Sequence, residues 1–158
     1  MLRLIHLSDM HFGGGRSRLM NRVNKLARVG TMQLPDEVVA IALLFNGDFT
    51  EKGQPAQFAK AQEFIEGLYA QIKLNAKNRS IHCFLTPGNH DCDFSEDQVL
   101  RDLALQHLKP ERPTQSLEDA ALGPLKNFWL FQKELKVPIS SSLSKDSPYV
   151  SSFELCVS

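Results

Sequence analysis

Three short runs of the chain carry side chains able to do chemistry: Asp9-Met10-His11, Gly47-Asp48-Phe49-Thr50-Glu51 and Gly88-Asn89-His90-Asp91. Each directly follows an apolar stretch, Leu2 to Leu7, Val38 to Phe45 and Ile81 to Leu85 respectively. Carboxylates and imidazoles crowded together without lysine partners repel or stay unsatisfied unless a cation joins them. Convergence of the three runs therefore predicts a metal site. Asp, His and Asn offer oxygen and nitrogen but no thiolate, which suits catalytic manganese, iron or zinc better than a thiolate-held structural zinc or an iron–sulfur cluster. A central Asp48 could bridge two ions, because two-metal hydrolytic sites hold them roughly 3.5–4 Å apart. Water deprotonated between two such ions is a nucleophile near neutral pH, with His90 as general acid for the leaving oxygen or as donor to the developing charge.

The elements that must position these runs can be read from the apolar pattern. Leu2 to Leu7 reads as a short buried strand that stops at Ser8-Asp9. Leu19 to Val29 reads as a helix after the polar, basic loop that Gly13-Gly14-Gly15 opens. The run VVAIALLF, Val38 to Phe45, is compatible with strand or helix by periodicity alone, and its length and Asn46-Gly47 stop favour a strand covered on both faces. Pro55 then starts the clearest helix, with Phe58, Ala61, Ile65, Leu68 and Ile72 along one stripe. Ile81 to Leu85 is a further strand. Ser95 and Gln98 have capping-box spacing at the head of a helix bearing Val99, Leu100, Leu103 and Leu108. A last helix starts at Pro124, buries Leu125, Phe128, Trp129 and Leu135, and ends before Pro138; Tyr149 to Val157 could begin another strand. Strand–helix–strand alternation implies an α/β fold with at least partly parallel strands, whose ligands gather beyond the carboxyl ends of the strands. All three polar runs fall there.

Composition sets the remaining bounds. The 158 residues fit one domain, and 42% apolar with 23% charged residues is an ordinary globular balance. Eighteen basic and eighteen acidic residues cancel, so no global field points to nucleic acid or an anionic membrane. Bound metal would supply positive charge for a phosphate substrate that this count does not include. Cys83, Cys92 and Cys156 form no Cys-x-x-Cys pair, a usage that suits a reducing compartment. The opening run is short and interrupted by Arg3 and His6, unlike a signal peptide, and no apolar stretch approaches the roughly eighteen residues of a membrane span. A soluble cytoplasmic protein without membrane association is the expectation.

Asp-x-His, then Gly-Asp-x-x-Asp/Glu, then Gly-Asn-His-Asp/Glu, in this order and each after a strand, resembles the calcineurin-like metallophosphoesterase superfamily. The resemblance implies a layered sandwich of β-sheet flanked by helices and a parent enzyme that hydrolyses phosphate esters, phosphodiester or phosphomonoester, with two divalent transition-metal ions (Mn, Fe or Zn). It makes Asp9 and His11 ligands of one metal, Asp48 the bridge, Asn89 the amide ligand of the second metal, and His90 the catalytic histidine. Glu51 stands where a carboxylate often orients that histidine, and Asp91 where a side chain holds the loop or a neighbouring ligand. The wording His-Leu-Ser-Asp-Met-His-Phe-Gly is closer to the cyclic-nucleotide phosphodiesterase-like branch than to the serine/threonine phosphatases, while a DNA-exonuclease branch opens similarly. Nucleotide and nucleic-acid substrates both stay open.

The pattern also departs from the family. A further histidine and a Gly-His-x-His motif normally complete the two metal shells, and neither follows here. His6 and His82 fall inside expected strands as packed or hydrogen-bonded residues, and His107 lies on a leucine-rich helix. One metal would then have Asp9, His11 and Asp48, the other only Asp48 and Asn89, so at most one ion is expected to be held, weakly. Residues 1–158 accordingly read as the N-terminal portion of a single metallophosphoesterase domain, incomplete at the C-terminus, that needs its missing half or a partner chain. The alternative is a non-catalytic remnant, a binding or regulatory module that keeps a partial metal site. Gly13-Gly14-Gly15 with Arg16 and Arg18 reads as a flexible loop near the site mouth, Cys92 as a small buried hydrophobe, and Phe128, Trp129 and Phe131 as core.

Overall fold

A computed structural model of the chain describes residues 1–13, 18–95, 99, 102–103, 106, 114–139, 142–144 and 147–152. Three strands, β1 (Leu2–Ser8), β2 (Ala40–Asn46) and β3 (Ser80–Thr86), form a parallel sheet in the order β1-β2-β3. The register pairs Ile5 with Leu43 and Leu43 with Cys83, so all three strands end level, at Ser8, Asn46 and Thr86. Parallel strands need long crossovers, and helices supply them: α1 (Val23–Thr31), entered through a 3-10 turn at Met20–Arg22, and α2 (Pro55–Asn75). Two more helices, α3 (Gln115–Leu122) and α4 (Lys126–Glu134), follow, and a two-stranded antiparallel sheet, β4 (Ser142–Ser144) with β5 (Ser147–Ser152), comes last. A parallel sheet flanked by helices matches the α/β architecture expected from the alternation of elements.

Because side chains alternate along a strand, one sheet face carries Ile5 and Leu7, Ile41, Leu43 and Phe45, and Ile81, Cys83 and Leu85. That face packs against Ala27 of α1, against Phe58, Ala61, Phe64, Ile65, Leu68 and Ile72 of α2, and against Phe128 and Phe131 of α4. The α2 stripe was legible from its spacing, and Pro55 occupies the first turn as expected. Phe58 stacks on Phe131 at 5.0 Å between ring centroids, and Phe49, just past β2, lies 5.6 Å from Phe131 and 5.8 Å from Phe128. Aromatic packing thus ties α4 to the segment that carries Asp48.

β1 differs from the expected buried strand. Among the described residues it is an edge strand, only its Arg3, Ile5 and Leu7 face is partly covered, and Leu2 and Leu4 are 40% and 58% exposed. His6 is exposed on that same open face, not packed, while His82 meets Ser80 Oγ at 3.2 Å through Nε2. Val38 and Val39 precede β2, which loses two residues from the expected run and gains Asn46. The expected helix after Ser95 lies largely outside the described residues, as do His107, Arg16 and Cys156. Trp129 is half buried beside Phe128, whereas Phe128, Phe131 and Leu135 are core. No helix among the described residues is long and apolar enough to cross a membrane.

Cys83 sits at the centre of the covered face with no accessible surface. Burial pushes its thiol from an ordinary value of 9.0 up to about 12. A raised folded-state value means that the thiol contributes stability in full below pH 9, and that this contribution is lost as pH rises towards about 12. At pH 8 the buried thiol is held in its unreactive protonated form in the folded state. Alkylation by iodoacetamide at pH 8, read by peptide mass, is therefore expected to modify Cys92 in the native protein and Cys83 only after denaturant is added. Equal labelling of both in the native protein would show that the sheet face is not closed over Cys83.

Candidate active site

The three polar runs emerge where β1, β2 and β3 end, and main-chain bonds extend the parallel ladder beyond the strands. Asp9 N–H donates to Gly47 O at 3.3 Å, His11 N–H to Asp48 O at 2.9 Å, Phe12 N–H to Phe49 O at 2.7 Å, and Gly47 N–H to Thr86 O at 2.9 Å. Phe12, buried against Phe64 of α2, anchors the first loop from below. The loop carrying Asp9 and His11 is thereby registered residue by residue against the loop carrying Asp48.

Asp9, His11 and Asp48 all have left-handed backbones, with φ of 56°, 46° and 53°. This region is uncommon for residues with a Cβ and costs roughly 1–3 kcal/mol where the surroundings enforce it. The result is convergence: one donor atom from each of the three lies within 4.8 Å of the other two. Asp9 Oδ1 stands 4.0 Å from His11 Nε2, and among the described residues no lysine or arginine bridges either carboxylate. Two carboxylates and an imidazole gathered without a cationic side chain form a donor set that a divalent cation would satisfy.

The third loop closes over Asp48. Gly88 lies so close to Asp48 that a methyl in place of its hydrogen would collide with the carboxylate, so glycine is required there. His90 N–H donates to Asp48 Oδ1 at 3.0 Å, which orients the carboxylate from the side opposite β1. The His90 ring meets the His11 ring edge-on, with centroids 4.8 Å apart. Its Nδ1 lies 3.2 Å from the main-chain oxygen of Glu51. A carbonyl only accepts, so Nδ1 is the donor of this bond, and Nε2 is the ring nitrogen left to exchange a proton.

Glu51 thus meets His90 through its carbonyl, not through the carboxylate that the motif brings to mind. The Glu51 carboxylate packs instead on Gly13, where any side chain would strike it. Asp91 is fully buried. Its Oδ1 accepts from Thr50 N–H at 2.9 Å and Thr50 Oγ1 at 3.1 Å, and its Oδ2 from Gly88 N–H at 2.9 Å. Thr50 Oγ1 has a single proton, shared between this carboxylate and His90 O at 2.8 Å. Asp91 therefore locks the second loop to the third and touches no other site carboxylate through these bonds. Asn89 borders the cleft beside His90 and is exposed.

Sequence reasoning missed Thr50 and Asn127. Asn127, on α4, donates through Nδ2 to Gly53 O at 2.9 Å and to Asp93 Oδ2 at 3.3 Å, and so fastens the loops after β2 and β3 to each other. A polar residue on the face of α4 towards the loops, flanked by Lys126 and the core residue Phe128, was the available signal.

Residues 2–143 match the family described as calcineurin-like phosphoesterase. The chain belongs to the calcineurin-like phosphoesterases. This is a class of divalent-metal hydrolases of phosphate esters, and the Asp9, His11 and Asp48 group of this calcineurin-like phosphoesterase suits such an ion. A cAMP/cGMP dual specificity phosphodiesterase of Mycobacterium tuberculosis is 33% identical to it over 96 residues, 56% of this chain and 26% of that protein. The chain thus matches about a quarter of the length of that curated relative. No solved structure matches it.

Proposed function

We propose that this chain carries the front half of a phosphate-ester hydrolase site, acting on a phosphodiester or phosphomonoester, with a nucleotide as the leading substrate class. The observation that carries the reading is the convergence of Asp9, His11 and Asp48 on left-handed backbones, within 4.8 Å of one another, inside a family match that spans residues 2–143. The partial likeness to a cyclic-nucleotide phosphodiesterase supports the nucleotide. Asp9, His11 and Asp48 would hold one divalent ion, manganese, iron or zinc, and Asp48 with Asn89 would contribute to a second. The ligands that the family's later histidine motifs provide would come from further sequence or from a partner chain. Bound ions supply Lewis-acid polarisation of the phosphoryl oxygens and lower the pKa of water. The chain's own residues do the rest: with Nδ1–H fixed on Glu51 O, His90 Nε2 would give the leaving oxygen its proton from the imidazolium form of the ring, and the Asp91 to Thr50 bonds keep His90 beside Asp48.

Calorimetric titration with MnCl2 tests the ligand assignment without relying on turnover. The chain is expected to take up about one ion, and Asp48→Ala to lose at least roughly tenfold in affinity. Equal uptake by both proteins would sink the assignment. A second reading, a binding module that retains one ion without turnover, is favoured by the count of three donors in the gathered group. Hydrolysis of bis(p-nitrophenyl) phosphate with Mn2+ separates the two. Activity above the Asp48→Ala control supports the enzyme, and none in a folded chain or its extended form supports the module.

A further inference from the structure

The charges of the chain balance in total but not in place. Residues 10–35 hold five of its eighteen basic side chains, Arg16, Arg18, Arg22, Lys25 and Arg28, and none of its eighteen acidic ones. The remainder therefore carries thirteen basic against eighteen acidic residues, and a neutral chain is divided into a segment of +5 and a remainder of −5. Segregation of this kind bears on partners more directly than the net charge does.

The fold turns the basic side chains of this segment outward together. α1 packs through its other side: Ala27 is buried, Val23 and Leu26 lie against the core, and Gly30 sits so close to Ile5 of β1 that a side chain there would strike it. The positions left over in the helix and in the turn that enters it, Arg18, Asn21, Arg22, Asn24, Lys25 and Arg28, are all exposed. Among the described residues none of the four cations makes an ion pair. Arginine and lysine offer donors and no acceptor, and the two asparagines add amide donors. These side chains are the ones that contact sugar and phosphate in nucleic-acid complexes, where the planar fork of arginine matches two phosphate oxygens at once.

An anionic membrane would also attract four cations, but a helix lying on lipid turns its apolar side outward. Here Val23, Leu26 and Ala27 face the core and asparagines take outer positions, with Val29 and Met32 as exposed exceptions at the far end. Position favours a nucleic acid as well. Arg18 is seven residues from His11, so at most about 25 Å of chain separates them. That is roughly seven steps of a nucleic-acid strand at about 3.4 Å each. A strand held along α1 is long enough to bring one of its own phosphodiesters to Asp9, His11 and Asp48.

We infer that the outer face of α1 and its entering turn is a docking surface for the phosphate backbone of a nucleic acid, held by Arg18, Arg22, Lys25 and Arg28 apart from the metal ligands. The choice of nucleic acid among polyanions rests on the proposed phosphate-ester function.

Fluorescence anisotropy of a labelled single-stranded oligonucleotide of about 20 nucleotides, with EDTA present, reads docking without metal or turnover. The chain is expected to bind it at micromolar concentration in about 50 mM salt, with log K falling against log salt at a slope of about −3, roughly −0.7 for each of four phosphate contacts. Arg22→Glu with Arg28→Glu is expected to lose at least roughly tenfold in affinity, and Arg22→Lys with Arg28→Lys to stay within about threefold of wild type. Lys133→Glu with Lys136→Glu makes the same change in net charge at exposed positions of α4 and just beyond it, and is expected to cost less than about threefold. Equal losses in the two glutamate pairs, or no binding in about 50 mM salt, overturn the inference. Capture by phosphatidylserine vesicles without oligonucleotide binding also overturns it, and gives the face to a membrane. Asp48→Ala is expected to bind the oligonucleotide as wild type does, so the docking surface is judged apart from the hydrolytic reading, which the bis(p-nitrophenyl) phosphate assay decides.

Discussion

Asp91→Ala is expected to destabilise the fold by roughly 2–6 kcal/mol, because two main-chain N–H groups would lose their acceptor at roughly 1–3 kcal/mol each. Asp91 accepts three bonds, from Thr50 N–H, Thr50 Oγ1 and Gly88 N–H. Alanine would leave the Thr50 and Gly88 N–H groups without an acceptor in a largely closed interior, while Thr50 Oγ1 keeps His90 O. The loss would be a large share of the roughly 5–15 kcal/mol that holds a typical domain together. Burial pushes the Asp91 carboxyl up from its ordinary value, while main-chain N–H groups of Gly88, Thr50 and Phe49 pull it back down. Asp91→Asn removes the buried charge and keeps an acceptor for Thr50, but turns an amide N–H2 towards Gly88 N–H. It is expected to fall between wild type and alanine. Urea unfolding followed by circular dichroism measures all three. A loss below about 1 kcal/mol for Asp91→Ala would mean that the two loops are held by something other than this carboxylate.

His90→Ala is expected to lower kcat by roughly 10²–10³ in the active, metal-loaded assembly, with KM little changed, as for removal of a general acid or a charge-stabilising donor. The leaving group discriminates between these two roles. If Nε2 delivers a proton, the loss should be largest for an alkyl ester, whose departing oxygen is strongly basic, and should shrink for p-nitrophenyl esters. A loss independent of the leaving group would assign His90 to charge stabilisation, and no loss would remove it from the reaction. Glu51→Gln is the informative companion. It leaves the main-chain oxygen on which Nδ1 rests, so kcat should change little. A collapse comparable with His90→Ala would restore the role that the motif suggests for the carboxylate.

The parts of the molecule that were legible in the sequence are those dictated by periodicity and by stops. The α2 stripe from Phe58 to Ile72 announces its buried face, and Asn46-Gly47 and Pro87-Gly88 mark where β2 and β3 end. Once the strands are parallel, the ends of the three must meet, so the meeting of Asp9, His11 and Asp48 follows from order and spacing. What spacing does not encode is which atom of a residue makes the contact. Glu51 reaches His90 through its backbone, and no sequence pattern separates that from a carboxylate contact. Nor does a pattern say which strand lies at an edge: Leu2 to Leu7 looks fully buried because its composition is apolar, yet its Leu2 and Leu4 face is open. Asp91 and Thr50 lie 41 residues apart and are joined only because β2 and β3 are neighbours. Asn127, far along the chain, is a clamp by virtue of where α4 docks, and that docking is decided by Phe128 and Phe131.

The left-handed backbones at Asp9, His11 and Asp48 bear on how such a protein would respond to selection. At each of these positions glycine would adopt the same conformation without the penalty of a Cβ, a relief of roughly 1 kcal/mol apiece. A library screened only for survival at high temperature would therefore drift towards glycine at the three residues that gather the donors. Heat tolerance and chemistry pull in opposite directions at the same three codons, so a stabilised variant has to be sought elsewhere in the chain, with these positions held fixed.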